Sequence, residues 1–162
     1  MSPQALASLL VAGLINLLLV CSVNADQNRF PVADDLYKLG AEAEKRELPI
    51  LLLISQYHCE YCERIKREVL QPMQTNKDFQ NRVLVGELMI DAGEKVVDFQ
   101  GKQVESAAFS QRYGVFVTPT LLFLDNQGRE AAERILGINT LDYLVFYIED
   151  AIEKATKKSF GK

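Results

Sequence analysis

The chain has 162 residues, is 48% apolar, and carries 22 acidic against 18 basic side chains, for a net charge of −4 with its single histidine neutral. That length suits one domain with a substantial core of its own. Mild acidity with scattered signs offers no basic stripe, which excludes nucleic acid as a partner.

Met1 to Ala25 contain no charged side chain, and Leu6 to Val20 are almost wholly apolar. Fifteen such residues fall short of the roughly twenty that a membrane span needs. They suit the apolar region of a cleavable secretory signal over residues 1–25, ending at Val23-Asn24-Ala25. One feature departs from that pattern, because Ser2-Pro3-Gln4 supply no Lys or Arg. The alternatives are an uncleaved anchor, or a lipid on Cys21, against which the bulky Val20 argues. A single domain is expected over residues 26–162.

Asp34 or Asp35 can cap a helix through Leu36, Leu39 and Ala43, with Pro49 stopping it. Pro49 to Ile54 has strand length and no polar face, so it reads as a buried strand. From Glu60 to Leu70 a helix is expected, with Cys62, Ile65 and Val69 on its inward face. Glu60–Arg64 and Glu63–Arg67 are the expected ion pairs, and Pro72 the stop. Arg82 to Asp91 is a β-branched run and a second strand, reached through a polar connection at 76–81. Ala92 to Glu105 reads as an irregular excursion or hairpin. Ser106 is placed to cap a short helix ending at Gly114. Thr120 to Leu124 and Arg129 to Leu136, joined by Asp125-Asn126-Gln127-Gly128, read as an antiparallel hairpin. Asn139 or Thr140 caps a last helix, with Leu141, Leu144, Val145, Ile148, Ile152 and Ala155 inward and Thr156 to Lys162 a frayed tail. A strand–helix–strand crossover followed by a hairpin gives an α/β domain: a central mixed sheet with helices on both faces.

Cys59-Glu60-Tyr61-Cys62 stands where the first strand gives way to the second helix. A helix N-terminus stabilises an anion by about 0.3–1 kcal/mol, so Cys59 is the expected nucleophile and Cys62 the resolving thiol one turn inward. The expected chemistry is thiol–disulfide exchange. A charge on His58 would favour the thiolate, and Glu60 and Glu63 oppose it. A zinc site is disfavoured, since two cysteines and one histidine cannot close a tetrahedron. A permanently oxidised structural pair is the blander alternative. No metal and no cofactor beyond the cysteine pair is expected.

From about Leu36 to Ala155 the chain resembles the thioredoxin-fold oxidoreductases. The residues that carry the resemblance are Cys59 to Cys62 after a buried strand, Tyr113-Gly114-Val115, Val117-Thr118-Pro119-Thr120, the hairpin Phe123 to Arg129, and Gly137. Within that superfamily it looks most like exported SoxW-like, thioredoxin-related proteins. These share the Cys-x-Tyr-Cys motif, an Arg-Glu-Val-Leu ending, here Arg67 to Leu70, and an Asp-Phe-x-Gly-Lys stretch, here Asp98 to Lys102. The resemblance implies a cis bond between Thr118 and Pro119 beside the cysteines, and a substrate groove of Tyr61, Thr118, Pro119 and Gly137. It further implies a monomeric, periplasmic reductase of disulfide-containing protein clients, fed by a DsbD-type membrane electron donor. A disulfide oxidase or isomerase of the same fold, or a client-binding module without catalysis, are the alternatives. Two residues depart from the family pattern: Leu53 stands where thioredoxins carry a buried aspartate, and His58 where they carry tryptophan.

Overall fold

The structure is a computed structural model that describes residues 30–137 and 141–161. The expected leader, Cys21 within it, and the expected caps Asn139 and Thr140 lie outside the described residues.

Helix α1, Leu36–Arg46, starts at Asp35, whose side chain accepts the Lys38 N–H, and ends on Glu47 in the left-handed conformation. Strand β1, Ile50–Ser55, follows, and all six of its residues are buried. Helix α2, Glu60–Ile65, passes through a π-helical turn, Lys66–Leu70, into α3, Gln71–Thr75. The short α4, Lys77–Gln80, then leads to β2, Leu84–Met89. β3, Lys95–Val97, and β4, Gln103–Glu105, form a separate antiparallel pair ahead of α5, Ser106–Arg112. β5, Thr120–Leu124, and β6, Glu130–Leu136, make the hairpin, and α6, Leu144–Phe160, closes the chain after one 3₁₀ turn.

The main sheet has the order β2-β1-β5-β6. β1 pairs in parallel with β2, Leu53 opposite Glu87, and antiparallel with β5, Ile54 opposite Thr120. A parallel neighbour needs a crossover connection, which α2 to α4 supply. Alternation along the strands divides the core into two layers. Leu51, Leu53, Leu121 and Phe123 face Ile65, Val69, Ile148 and Ile152 of the active helix and α6. Ile50, Leu52, Ile54, Leu122 and Leu124 face Leu36, Ala43 and Phe109 of α1 and α5. The expected mixed sheet with helices on both faces is what the sequence folds into.

Several local expectations are corrected. Pro72 does not stop the active helix, which runs to Thr75. In an α-helix, proline lacks a donor and its ring presses on the carbonyl four residues back. Here the π turn widens the helix just before it, with the Gln71 N–H bonded to the Lys66 carbonyl. The ion pairs are re-sorted as well: Glu63 pairs with Lys66, and both Arg64 and Arg67 pair with Glu68, in place of Glu60–Arg64 and Glu63–Arg67. Ser106 is the first residue of α5 rather than its cap, which is Glu105. Val145 is exposed, and Ala151 takes an inward place on α6 instead. The tail does not fray at Thr156, because Ala155 is buried, Lys157 pairs with Glu153, and Gly161 ends the helix in the left-handed conformation.

Asp98 explains why an acidic residue opens the Asp98-to-Lys102 stretch. Only 2% exposed, it accepts the backbone N–H groups of Gln100 and Lys102 on one oxygen and Arg112 Nη1, at 2.9 Å, on the other. That turn carries Phe99, whose ring lies where a Cβ on Gly128 would come within 2.3 Å, so Gly128 (φ +80°) joins the hairpin turn closely to it. Burial raises the Asp98 carboxyl, but the Arg112 and backbone hydrogen bonds outweigh it and hold the group below its ordinary 3.8. A carboxyl lowered in the folded state stabilises the fold above its ordinary range, and that stabilisation is lost as pH falls through the folded value. Asp98→Asn should therefore cost on the order of 2 kcal/mol at pH 7, with the half-exposed Arg112 contact contributing the screened minor part. Urea titrations of both proteins at pH 7 and near pH 3 should show the gap narrowing at the acid end.

Candidate active site

The loop that ends β1 delivers the reactive pair. Tyr57 donates its N–H to Asp91 Oδ2 at 2.8 Å and its hydroxyl to Glu94 Oε1 at 3.0 Å. Glu94 pushes the Tyr57 hydroxyl above its ordinary range, so it remains a donor. Gln56 Oε1 accepts Thr118 Oγ1 at 3.0 Å, joining this loop to the segment before Pro119. His58 turns through φ +58°, a left-handed conformation that few non-glycine residues adopt and that histidine, like Asn and Asp, enters more readily than most. The reversal sets Cys59 at the N-cap of α2, where its sulfur accepts the Cys62 N–H at 3.2 Å.

Cys59 and Cys62 are joined, S–S 2.05 Å and Cα–Cα 5.2 Å. Their surroundings differ. Cys59 is partly exposed at the helix tip, whereas Cys62 is fully buried on the inward face with Ile65 and Val69.

Around them, Tyr61 is 60% exposed, and His58, Glu60 and Glu63 are also at the surface. The Thr118–Pro119 peptide bond is cis. Thr118 is half-buried and Pro119 buried, and Thr120 Oγ1 donates to the Val117 carbonyl to close that loop. Gly137 (φ +64°) donates its N–H to the Pro119 carbonyl at 2.9 Å, and a Cβ there would meet nothing within 4 Å. Thr118, Pro119 and Gly137 are thus brought together, with Gln56 linking them to the loop before Cys59. Glu63 is engaged elsewhere, 2.6 Å from Lys66 Nζ. Phe116 and Val117, just ahead of Thr118, stand 78% and 54% exposed.

Sequence reasoning missed the charged floor beside this helix. Lys66, four residues beyond Cys62, lies 2.9 Å from Glu87 Oε1, and both side chains are nearly buried. Burial works against the Lys66 charge, but hydrogen bonds to Glu63 and Glu87 outweigh it and raise the ammonium above its ordinary range. The available signal was Glu87 itself, a charge inside the apolar strand Val85 to Met89. Asp91 and Glu94, which anchor Tyr57, gave no signal because their partner lies far away in sequence. Leu53, in the position of the absent aspartate, is buried opposite Glu87. Among the described residues, no group of three His, Cys, Asp or Glu is placed to hold a metal ion.

This geometry agrees with the comparisons. A family model for the thioredoxin-like domain matches residues 38–152. The chain belongs to that family, and it is a thiol–disulfide oxidoreductase whose redox pair is Cys59–Cys62. Among solved structures it is similar to the DsbH oxidoreductase, at 15% identity and TM-score 0.55, over 82% of this chain and 91% of that one. The periplasmic thioredoxin SoxS of Paracoccus pantotrophus matches at 18% identity and TM-score 0.47, over 66% of this chain and 98% of that one. Thioredoxin O2 of Arabidopsis thaliana matches at 18% and 0.49, over 81% and 97%. At these identities the likeness is one of fold. A search of curated proteins gives no match.

Lys66→Met should strand the Glu87 carboxylate without its cation and cost about 3–5 kcal/mol. In Lys66→Met/Glu87→Leu most of that loss should return, since no unpaired charge is left inside. Urea unfolding of the three proteins measures both effects.

Proposed function

We propose that this protein is an exported reductase of disulfides in protein clients, with Cys59 the attacking and Cys62 the resolving thiol. The asymmetry of the pair is the observation that carries the reading: a protein-sized partner can approach Cys59, and none can approach the fully buried Cys62. In the reduced protein, Cys59 as thiolate attacks one sulfur of a client disulfide. The client S–S bond breaks, a mixed disulfide forms, and the first client thiolate leaves and takes a proton. Cys62 then loses its proton and attacks the Cys59 sulfur. The Cys59–Cys62 bond forms, and the second client thiolate leaves. Two electrons pass from the dithiol to the client.

Tyr61, Thr118, Pro119 and Gly137 are assigned to client docking. A backbone held open at Thr118 can pair with an extended client strand, and the exposed Tyr61, Phe116 and Val117 give that strand apolar contacts. His58, Glu60 and Glu63 are assigned to tuning the thiolate, with Glu63 weakened in that role by its pairing with Lys66.

Export rests on the uncharged, apolar residues 1–25 read as a signal, followed by one domain over 26–162. Such a domain would keep only Cys59 and Cys62, a pair free to cycle in an oxidising compartment. No described helix is long and apolar enough to cross a membrane. Reduction in that compartment needs an electron source. The reading assigns it to a DsbD-type membrane thiol transporter, with this protein acting as a periplasmic monomer.

Cys59→Ser should lose disulfide exchange altogether, whereas Cys62→Ser should accumulate a mixed disulfide through Cys59. Non-reducing electrophoresis against a disulfide-bonded test protein reads both. A Cys62→Ser protein that traps nothing, or a Cys59→Ser protein that still reduces its substrate, would sink the reading.

A further inference from the structure

Reduction removes the covalent bond that ties Cys59 to Cys62 of α2. The Cys59 sulfur then stays at the N-cap, accepting the Cys62 N–H, only as well as residues 56–58 are held. Tyr57 and His58 are exposed, and His58 sits in the left-handed region at φ +58°. A side chain held there costs energy that its surroundings must outweigh.

The hold comes from the turn over residues 91–94, just after β2. Asp91 Oδ2 accepts the Tyr57 N–H at 2.8 Å, and Glu94 Oε1 accepts the Tyr57 hydroxyl at 3.0 Å. An ionised acceptor makes such bonds stronger than those between neutral groups. The turn is itself fixed. Next to it the Ile90 N–H donates to the Ser55 carbonyl of β1, and the Glu94 N–H donates to the Asp91 carbonyl. The Glu94 carbonyl accepts the Ser106 N–H at the start of α5. Tyr57 is thus bracketed, backbone and side chain, by a turn anchored to the central strand and to α5. Only His58 lies between that bracket and Cys59.

Holding and charge have opposite signs here. The titratable groups at this end of the sheet are His58, Glu60, Glu63, Asp91 and Glu94, with Lys66 paired to Glu63 and Glu87. By charge alone, Asp91 and Glu94 oppose a thiolate on Cys59, and removing either would favour it. By holding Tyr57, they keep the sulfur where the helix N-terminus stabilises an anion, and removing either would disfavour it.

We propose that Asp91 and Glu94 are positioning residues for the exchange reaction, keeping the reduced Cys59 at the N-cap of α2 through Tyr57. It rests on Cys59 being the attacking thiol of the reductase reading.

The experiment follows alkylation of the reduced full-length protein by iodoacetamide as a function of pH. Exposed Cys59 reports in this assay, because Cys62 is buried. In Glu94→Ala, in Asp91→Ala and in Tyr57→Phe the midpoint should rise by about 0.2–0.7 pH units, the worth of a helix N-terminus to an anion. Reduction of a disulfide-bonded peptide at pH 7 should slow by up to about fivefold, the same shift read as a rate. Tyr57→Phe removes no charge, so its shift reads position alone. Glu94→Gln and Asp91→Asn keep an acceptor oxygen and should recover most of the change. Tyr57→Phe/Glu94→Ala should shift no further than either single substitution, since both break one bond. An unmoved or lowered midpoint in any of the three single variants would overturn the positioning role. Equal shifts in the alanine and amide variants, or additive shifts in the double variant, would do the same. A wild-type protein that reduces no disulfide peptide would sink the reductase reading, while the alkylation profiles still decide the positioning role.

Discussion

Complete burial of β1 is the constraint on which the site depends. Its edges are closed by β2 and β5, and its two faces by α6 and the active helix on one side and α1 and α5 on the other. A strand held this way cannot slip by one residue, because every side chain would change faces. Fully burying an aliphatic side chain gains about 1.5–3 kcal/mol, and β1 contributes five in a row. The point at which the chain leaves the sheet is thereby fixed, and so is the position of Cys59 four residues after Ser55.

The loop between β1 and the active helix is polar and short, so it has to be held by bonds from elsewhere. Asp91 and Glu94 hold Tyr57, and Thr118 holds Gln56, while the segment of Thr118 is itself fixed by the Gly137 N–H on the Pro119 carbonyl. These contacts come from three segments distant in sequence, which the sheet brings to one end. The arrangement separates the tasks of the two cysteines: Cys59 meets the solvent at the helix tip, and Cys62 belongs to the packed face. Exposure of one sulfur and burial of the other is what supports the proposed order of exchange, attack at the surface and then closure within.

Much of this was legible in the sequence, where the signal is local. An unbroken apolar run marked β1, the Asn-Gln-Gly turn marked the hairpin, and the cysteine spacing at a strand-to-helix junction marked the reactive pair. Reading failed where a long-range partner decides the outcome. Lys66 looks like one more charge on a solvated helix face until Glu87 of β2 is seen beneath it. Pro72 is a stop in any local rule, yet a π turn lets the helix pass through it. The α6 tail stays helical because Ala155 packs inward and Lys158 reaches the Glu130 carbonyl, contacts that no window of sequence contains.

Direction of electron flow is the central claim, and the equilibrium potential of the Cys59–Cys62 pair tests it most directly. Titration of residues 26–162 against glutathione, read by the fraction of protein with free thiols, gives that value. Thioredoxin lies near −270 mV and the strong oxidant DsbA near −120 mV, with about 30 mV equivalent to 1.4 kcal/mol for this two-electron couple. A value below roughly −200 mV on that scale is the predicted result and fits a reductase. One near −120 mV would contradict the account and make the protein a donor of disulfides.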